Sequence, residues 1–259
     1  MQQKALDNEP DTGCRLCQDK EALGFDFTFA FQPIFDLKSK SVFSYEALVR
    51  GTEQQGAFFI LAKVNESNRY QFDQECRVKA VKLAAELGFD AHLNINFMPN
   101  AVYEPASCIR TTLNAAAKYG FPTEKIIFEL LESEDITDRE HLVRIVEHYQ
   151  SCGFGTAIDD FGAGYAGLGL LAEYTPDYLK LDMKLIRDID KDCKKQIIVA
   201  GIVDVANKLE IRTIAEGVET RAEAEFLYST GIALMQGYYF ARPSFESLPE
   251  AEPGSLDGW

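Results

Sequence analysis

The sequence predicts an α/β fold, best satisfied by a (β/α) barrel, on the strength of three observations. Strand-like and helix-like segments alternate along most of the chain, which is typical of a mostly parallel sheet. The first two strand-like segments are joined by so short a connection that this pair is expected to be antiparallel. Acids, amides and one lysine follow the strand-like segments, where a barrel builds its site. An open doubly wound sheet also fits the alternation.

The antiparallel pair opens the regular part of the chain. Residues 27–36 and 42–49 have strand patterns, and residues 37–40 lie between them as a hairpin turn. Further strands are predicted at residues 92–97, 125–131, 155–159, 178–182, 212–215 and 234–240. Helices are predicted at residues 58–65, 71–87, 109–118, 139–151, 168–173, 193–208 and 221–230. Eight strands separated by helical segments favour a barrel over an open sheet.

Composition narrows the function classes. Acidic residues outnumber basic residues by 41 to 26, a net charge of −15, which argues against non-specific binding to DNA, RNA or anionic membranes. The apolar segment at residues 197–206 is too short to span a membrane and contains Asp204. The first residues lack the apolar core of a signal peptide. Six scattered cysteines do not resemble a disulfide framework, so we expect a cytoplasmic protein.

The predicted domain organisation is one large domain with two short flanks. Residues 1–24 form a polar N-terminal extension, residues 25–247 form the domain, and residues 248–259 form a flexible tail. Cys14 and Cys17 in the extension offer half of a zinc site. Because no second ligand pair stands nearby, two ordinary thiols are the favoured interpretation.

The stretch from Thr156 to Tyr165 is central to the functional hypothesis. A short apolar run delivers two adjacent carboxylates, Asp159 and Asp160, to a glycine-rich turn. Neighbouring residues on a strand point to opposite faces, so we expect both acids to act only where the strand stops. Paired carboxylates suit two divalent metal ions, with one carboxylate shared between them. A solvated turn that caps the next helix is the alternative.

Polar side chains follow every predicted strand after the first. They are Glu46, Asn96, Glu129, Asp159 with Asp160, Lys180 with Asp182, Glu216 with Glu219, and Gln236. In a parallel barrel these positions meet at one mouth. Such a ring can hold two Mg²⁺ or Mn²⁺ ions, while Lys180 positions a water and Arg50 contacts a phosphate. The pattern therefore indicates hydrolysis of a phosphate ester.

Several ordered motifs resemble one known family. Tyr45-Glu-Ala-Leu-Val-Arg50 is similar to the motif that names EAL domains, the cyclic di-GMP phosphodiesterases of bacterial signalling. The remaining family motifs follow in order as Phe31-Gln-Pro-Ile34, Ile95-Asn96, Glu129-Leu-Leu-Glu132, Asp159-Asp-Phe-Gly-Ala-Gly-Tyr165, Leu179-Lys-Leu-Asp182, Ala215-Glu-Gly-Val-Glu-Thr220 and Gln236-Gly-Tyr238. The similarity runs from about residue 27 to residue 243.

The resemblance implies a (β/α)8 barrel with one antiparallel strand, in agreement with the hairpin. It also implies cleavage of cyclic di-GMP to linear pGpG with two Mg²⁺ or Mn²⁺ ions. Ca²⁺ is expected to bind yet inhibit, because it takes more ligands at longer distances and polarises water less. We also expect a homodimer. By resemblance, Glu46, Asn96, Glu129 and Asp159 would hold one ion, and Asp159 would bridge to a second ion near Asp160 and Glu216.

The resemblance also assigns roles to the other polar residues. Lys180 is similar to the lysine that holds the attacking water, with Asp182 beside it. Nucleotide contacts are implied for Gln32, Glu46, Leu48, Arg50 and Gln236. Glu132 and Glu219 resemble residues that steady the loop after Asp160, a loop linked in the family to dimerisation.

Two departures from the family pattern leave choices open. Phe97-Met98 replaces the usual Leu-Ser, so Asn94 competes with Asn96 for the ligand position, and Asn96 is preferred because it follows Ile95. The segment after Gly162 also differs but touches no proposed ligand. A module that binds cyclic di-GMP or a partner protein without catalysis is the rival hypothesis, and an unrelated metal phosphoesterase is a third.

Overall fold

The computed structural model describes residues 23–131, 138–164 and 168–259, and in these ranges eight strands close into a barrel. The barrel strands are β1 (Thr28–Asp36), β2 (Ser41–Arg50), β3 (His92–Asn96), β4 (Ile126–Leu131), β5 (Gly155–Phe161), β6 (Tyr178–Leu181), β7 (Arg212–Ala215) and β8 (Leu234–Met235). A short β9 (Ser244–Phe245) adds to β1 outside the barrel. The predicted barrel is therefore confirmed.

Helices cover the outside of the barrel. They are α1 (Ala57–Leu61), α2 (Arg69–Leu87), α3 (Pro105–Tyr119), α4 (Arg139–Ser151), α5 (Leu168–Leu171), α6 (Met183–Ile186), α7 (Cys193–Lys208) and α8 (Arg221–Ser229), with 3₁₀ turns at Pro99–Ala101 and Thr123–Lys125. Local capping explains several of their ends: α8 begins with a capping box between Thr220 and Glu223, and α2 ends at Gly88 with φ of 66°. None of the described helices is long and apolar enough to cross a membrane.

One strand runs against the others. β1 pairs antiparallel with both β2 and β8, whereas the pairs from β2 to β8 are all parallel. The register aligns the carboxyl ends of the parallel strands, with Asn96 opposite Glu129 and Leu131 opposite Asp159. This alignment carries the polar residues at the strand ends to one mouth.

A bulge near the end of β5 corrects one expectation. The strand does not stop at Asp159 but continues to Phe161, and its register with β6 shifts between Ile158 and Phe161. Asp160 has φ of 56°, in the left-handed region that aspartate tolerates better than most residues. The extra residue breaks the alternation of side chains, so both acids can face the mouth without the strand ending.

Other element boundaries also differ from the sequence prediction. The last barrel strand ends at Met235 rather than at residue 240, because the chain turns there: the backbone N–H of Phe240 donates to the carbonyl oxygen of Gly237, and that of Tyr239 donates to the carbonyl oxygen of Val218. α1 ends at Leu61 rather than residue 65, and α3 begins four residues earlier than residue 109. The short helix α6, capped by the Asp182 side chain, was not predicted.

A buried ionic cluster joins α2 to the strands of the mouth. Asp73 pairs with Arg77 at 2.8 Å and accepts a hydrogen bond from the backbone N–H of Met98 at 2.9 Å. The Arg77 guanidinium donates to the Tyr149 hydroxyl at 2.7 Å and lies over the ring of Phe128. Burial raises the pKa of Tyr149 to about 12, so this hydroxyl stays protonated. The cluster fixes the turn that follows β3.

The two flanks of the domain have different outcomes. Residues 1–22, with Cys14 and Cys17, lie outside the described residues. Residues 248–259 form turns against the barrel, where Trp259 packs on Tyr228 and Ser255 is buried. The division into extension, domain and flexible tail stays a prediction. The four cysteines of the described ranges, at positions 76, 108, 152 and 193, are free thiols.

Candidate active site

A single buried lysine lies at the centre of the mouth. The Lys180 side chain is fully buried, and its Nζ ion-pairs with four carboxylates that come from four different strands or strand ends. The partners are Glu216 Oε1 at 2.8 Å, Glu129 Oε1 and Asp159 Oδ1 at 2.9 Å, and Glu46 Oε2 at 3.4 Å. The polar residues that the sequence placed at separate strand ends are therefore in direct contact.

The two asparagines of β3 have different positions. Asn96 is half-buried and lines the mouth, where its Nδ2 lies 3.2 Å from Glu46 Oε1 and 3.4 Å from Glu129 Oε2. Asn94 is fully buried below it and donates from Nδ2 to Glu129 Oε1 at 2.6 Å. Because Asn96 lines the cavity and Asn94 does not, the geometry favours Asn96 as the ligand position.

Burial and mutual repulsion change the acidity of the mouth. Burial, followed by the charges of Glu46 and Asp159, raises the pKa of Glu129 to about 8 despite the attraction of Lys180. Burial also raises the pKa of Glu216 well above its usual range. For Lys180, burial disfavours the charge, but attraction to the four carboxylates outweighs it and raises the pKa. The lysine therefore remains charged while the acids compete for protons.

The bulged pair of acids extends the ring toward solvent. Asp159 is buried and Asp160 is half-buried, and Asp160 lies close enough to Asp182 for their carboxyl groups to interact. Burial, then the charges of Asp159 and Asp182, raises the pKa of Asp160 to about 6. Carboxylate oxygens of Asp159, Asp160 and Glu216 all lie within 4.8 Å of one another.

The residues implied in nucleotide contact are only partly assembled. Gln32, Glu46 and Gln236 line the mouth, and Gln236 donates to Glu46 Oε2 at 2.9 Å. Leu48 and Arg50 are half-buried and follow Glu46 on the same face of β2, beyond the described lining. The Arg50 guanidinium donates to the carbonyl oxygen of Val49 at 2.8 Å.

The two glutamates assigned to loop support also differ in outcome. Glu219 lies at the rim of the mouth and forms an ion pair with Arg187, including a hydrogen bond of 2.6 Å to Oε1. Its backbone N–H donates to Glu223 at 2.9 Å, which ties it to the start of α8. Glu132 lies outside the described residues, so its role stays a prediction.

The mouth opens into a cavity of about 410 Å³. Its lining contains five residues that were not among the predicted site residues, Leu131, Met183, Gly217, Gly237 and Tyr238. Leu131, Met183 and Tyr238 are 37%, 46% and 46% exposed, so an acidic floor is bordered by accessible nonpolar surface. In the sequence, these three residues directly neighbour the motif residues Glu132, Asp182 and Gly237, and this proximity could have indicated that they lie at the mouth.

The donor set of the mouth fits divalent metal ions. Among the described residues, Lys180 is the one cation in ion-pair contact with the Glu46, Glu129, Asp159 and Glu216 carboxylates. The carboxylates form two groups of close neighbours. Glu46, Glu129 and Asp159 form one group, and Asp159, Asp160 and Glu216 form the other, so Asp159 belongs to both. Burial and neighbouring carboxylates raise the pKa of Glu129, Asp160 and Glu216, and a bound divalent cation with oxygen ligands would offset that crowding of negative charge.

Comparison with known proteins decides the family. A model of the EAL domain matches residues 20–243. The chain belongs to the EAL domain family. BluF of Escherichia coli K12, a blue light- and temperature-regulated antirepressor, is 32% identical over 85% of this chain and 55% of its own length. PdeG of the same organism, a probable cyclic di-GMP phosphodiesterase, is 28% identical over 82% of this EAL chain and 44% of its own length.

Solved structures of EAL proteins agree with the fold and contain relevant ligands. A standalone EAL protein of Vibrio cholerae O395 with cyclic di-GMP bound is 53% identical, with a TM-score of 0.89 over 92% of this chain and 100% of that one. Klebsiella pneumoniae BlrP1 in complex with manganese and cyclic di-GMP is 36% identical, with a TM-score of 0.81 over 85% of this chain and 56% of that one. Another BlrP1 complex contains calcium and cyclic di-GMP. The curated relatives described above are about twice as long as the matched segment.

Proposed function

We propose that this protein hydrolyses cyclic di-GMP to linear pGpG with two Mg²⁺ or Mn²⁺ ions. One observation carries the proposal: a charged lysine is surrounded by four carboxylates, three of which, Glu46, Asp159 and Glu216, line an open cavity. A receptor would need contacts to the nucleotide but not a buried cation beside so many acids. The cyclic di-GMP complexes of similar EAL proteins support the choice of substrate.

Two overlapping sets of residues would hold the metals. Glu46, Asn96, Glu129 and Asp159 would hold one ion, and Asp159 with Asp160 and Glu216 would hold the other. Asp159 is the shared member, in keeping with a bridging carboxylate. When bound, the ions neutralise charge on a phosphodiester and make a water more acidic. We propose that Ca²⁺ binds the same residues but supports no hydrolysis, because it prefers more ligands at longer distances.

The chain's own residues orient the reaction. Lys180 keeps its proton, so it can position the water by a charge-assisted hydrogen bond and stabilise negative charge that develops on phosphorus. Asp182 lies beside it at the start of α6. Gln32, Leu48, Arg50 and Gln236 would contact the nucleotide. Glu132 and Glu219 would steady the loop after Asp160.

Assembly and compartment are also proposed rather than established. We infer a homodimer that forms near the loop after Asp160 and α5, where Leu168 is 55% exposed. A cytoplasmic location follows from the absence of a disulfide framework in the cysteine pattern.

A binding module without catalysis is the second candidate. The antirepressor name of BluF supports it, since such a name describes action on a partner protein. The phosphodiesterase needs the ring of carboxylates to hold metal ions, whereas a binding module does not. A module of this kind would retain cyclic di-GMP or a partner protein without changing the nucleotide.

Product analysis separates the two functions. Purified protein would be incubated with cyclic di-GMP in Mg²⁺, in Mn²⁺ and in EDTA, and the nucleotides separated by chromatography. Hydrolysis predicts pGpG in either metal and intact cyclic di-GMP in EDTA. Intact cyclic di-GMP in all three, with binding detected by calorimetry, would favour the module.

A further inference from the structure

Asn94 is a buried amide in the interior of the barrel. It lies on β3 opposite Glu46 of β2, two residues before Asn96, and its side chain is fully buried. Residues two apart on a strand share a face, so Asn94 lies directly below the mouth. The buried side chain lies outside the lining of the described cavity.

The amide acts on one oxygen of a proposed ligand. Asn94 Nδ2 donates to Glu129 Oε1 at 2.6 Å, and Lys180 Nζ lies 2.9 Å from the same oxygen. The second oxygen, Oε2, faces Asn96 at 3.4 Å on the cavity side. Two donors therefore hold one oxygen inward, and the other oxygen is directed toward the mouth.

The carbonyl oxygen of the Asn94 side chain makes no favourable contact that would explain its position. Asn94 Oδ1 is buried and has no hydrogen-bond partner among the described residues. An unpaired buried carbonyl oxygen is destabilising, whereas an apolar side chain of similar shape removes that cost. The fold alone would therefore favour leucine here. The presence of an amide at this position points to a function for its N–H group.

An amide is also the suitable donor for this position. A carboxylate would add a further buried acid beside Glu129, whose pKa is already raised by burial and by its acidic neighbours. A second lysine would compete with the metal ions for the same oxygens. A neutral donor orients the glutamate without changing the charge of the mouth.

We propose that Asn94 is a positioning residue that holds Glu129 Oε1 inward and so presents Oε2 as the ligand oxygen. The proposal rests on the proposed metal-dependent function. Asn94 acts through Glu129, as groups that hydrogen-bond to metal ligands commonly do. Its removal should therefore weaken metal binding more than it weakens folding.

Metal titration provides the test. Binding of Mn²⁺ alone would be followed by the free-ion signal in electron paramagnetic resonance for the wild type, Asn94→Leu and Asn94→Ala. Leucine fills the volume and alanine avoids overpacking, so one variant remains informative if the other fails to fold. Ser44→Ala is the matched control, because Ser44 is fully buried on β2 and its hydroxyl also lacks a partner among the described residues.

We expect Mn²⁺ affinity to fall by about 10- to 100-fold in the Asn94 variants, the usual effect of losing such a partner. Ser44→Ala should bind like the wild type. Hydrolysis by Asn94→Leu should recover toward the wild-type rate at saturating Mn²⁺, which a general disruption of the fold would not allow. Mn²⁺ affinity within about twofold of wild type in both variants, or an equal loss in Ser44→Ala, would overturn the role of Asn94 alone. A wild-type protein that does not bind Mn²⁺ would overturn this role and the proposed function together.

Discussion

The backbone N–H of Asp160 donates a hydrogen bond to Oδ1 of Asp159 at 2.9 Å. The bond lies within the bulge at the end of β5, where both adjacent acids line the same mouth. The pair is unequal, because Asp159 also ion-pairs with Lys180 and belongs to both groups of close acids.

Asp159→Asn should therefore lose far more activity than Asp160→Asn. Neutralising the shared carboxylate would weaken two metal positions, whereas Asp160 would serve only one. Asparagine tolerates the left-handed backbone of residue 160, so the bulge should persist. Steady-state hydrolysis and Mn²⁺ binding would be measured for both variants. Equal and modest losses would show that neither carboxylate bridges.

Metal dependence is the second prediction. Mg²⁺ and Mn²⁺ should support hydrolysis, EDTA should abolish it, and Ca²⁺ should compete without supporting turnover. Because the buried acids lack positive charge, any of the three ions should also raise the melting temperature of the wild type. Calorimetric melting and product assays in each metal would check this. Full activity in EDTA would exclude the metal mechanism.

Gly237→Ala should lower the rate of hydrolysis. An added Cβ would lie 2.0 Å from the carbonyl oxygen and 2.4 Å from the nitrogen of Val218, and backbone atoms cannot rotate away. The turn that carries Gln236 would have to move, and displacements of this kind cost up to about 100-fold in rate. Gly201→Ala is the control, since nothing lies within 4 Å of a Cβ there. A Gly237→Ala protein with wild-type kinetics would show that the Gln236 turn is not involved.

The proposed dimer can be tested with a charge on α5. Leu168→Glu should disrupt both assembly and activity, because two-fold pairing places the same patch against itself. Leu171 is unsuitable for this test, since it is 5% exposed and a charge there would damage the core. Phe58→Glu, at a side chain 85% exposed on α1, is the matched control. Light scattering that shows a fully active monomer would contradict the coupling.

The sequence predicted the barrel and its acidic ring because both leave local patterns. Strand and helix periods alternate, and each strand ends in a polar residue such as Glu129 or Glu216. The bulge at Asp160 and the early end of β8 were missed because they depend on contacts across the barrel, including the approach of Gly237 to Val218. The Ile95-Asn96 motif favoured Asn96 over Asn94, but the burial of Asn94 and its contact with Glu129 depend on packing inside the barrel, which strand alternation alone does not reveal.

A substitution of Lys180 is expected to distinguish catalysis from binding. It is fully buried, and its Nζ contacts the proposed ligands rather than the cavity rim. Lys180→Met removes the charge while keeping a side chain of similar length. The variant leaves the proposed substrate contacts at Gln32 and Arg50 untouched, and bound metal ions should offset the repulsion among the remaining acids. Folding of the variant would be checked by its melting temperature in Mn²⁺.

The decisive measurement is therefore a parallel determination of binding and turnover on the wild type and Lys180→Met. Calorimetry with cyclic di-GMP in Ca²⁺ should give dissociation constants within a few-fold of each other. Product assays in Mg²⁺ should show turnover reduced by about 100-fold or more in the variant, the scale expected for losing one preorganised charge. Turnover at the wild-type rate in Lys180→Met, with pGpG still formed, would contradict a catalytic lysine at the centre of this site.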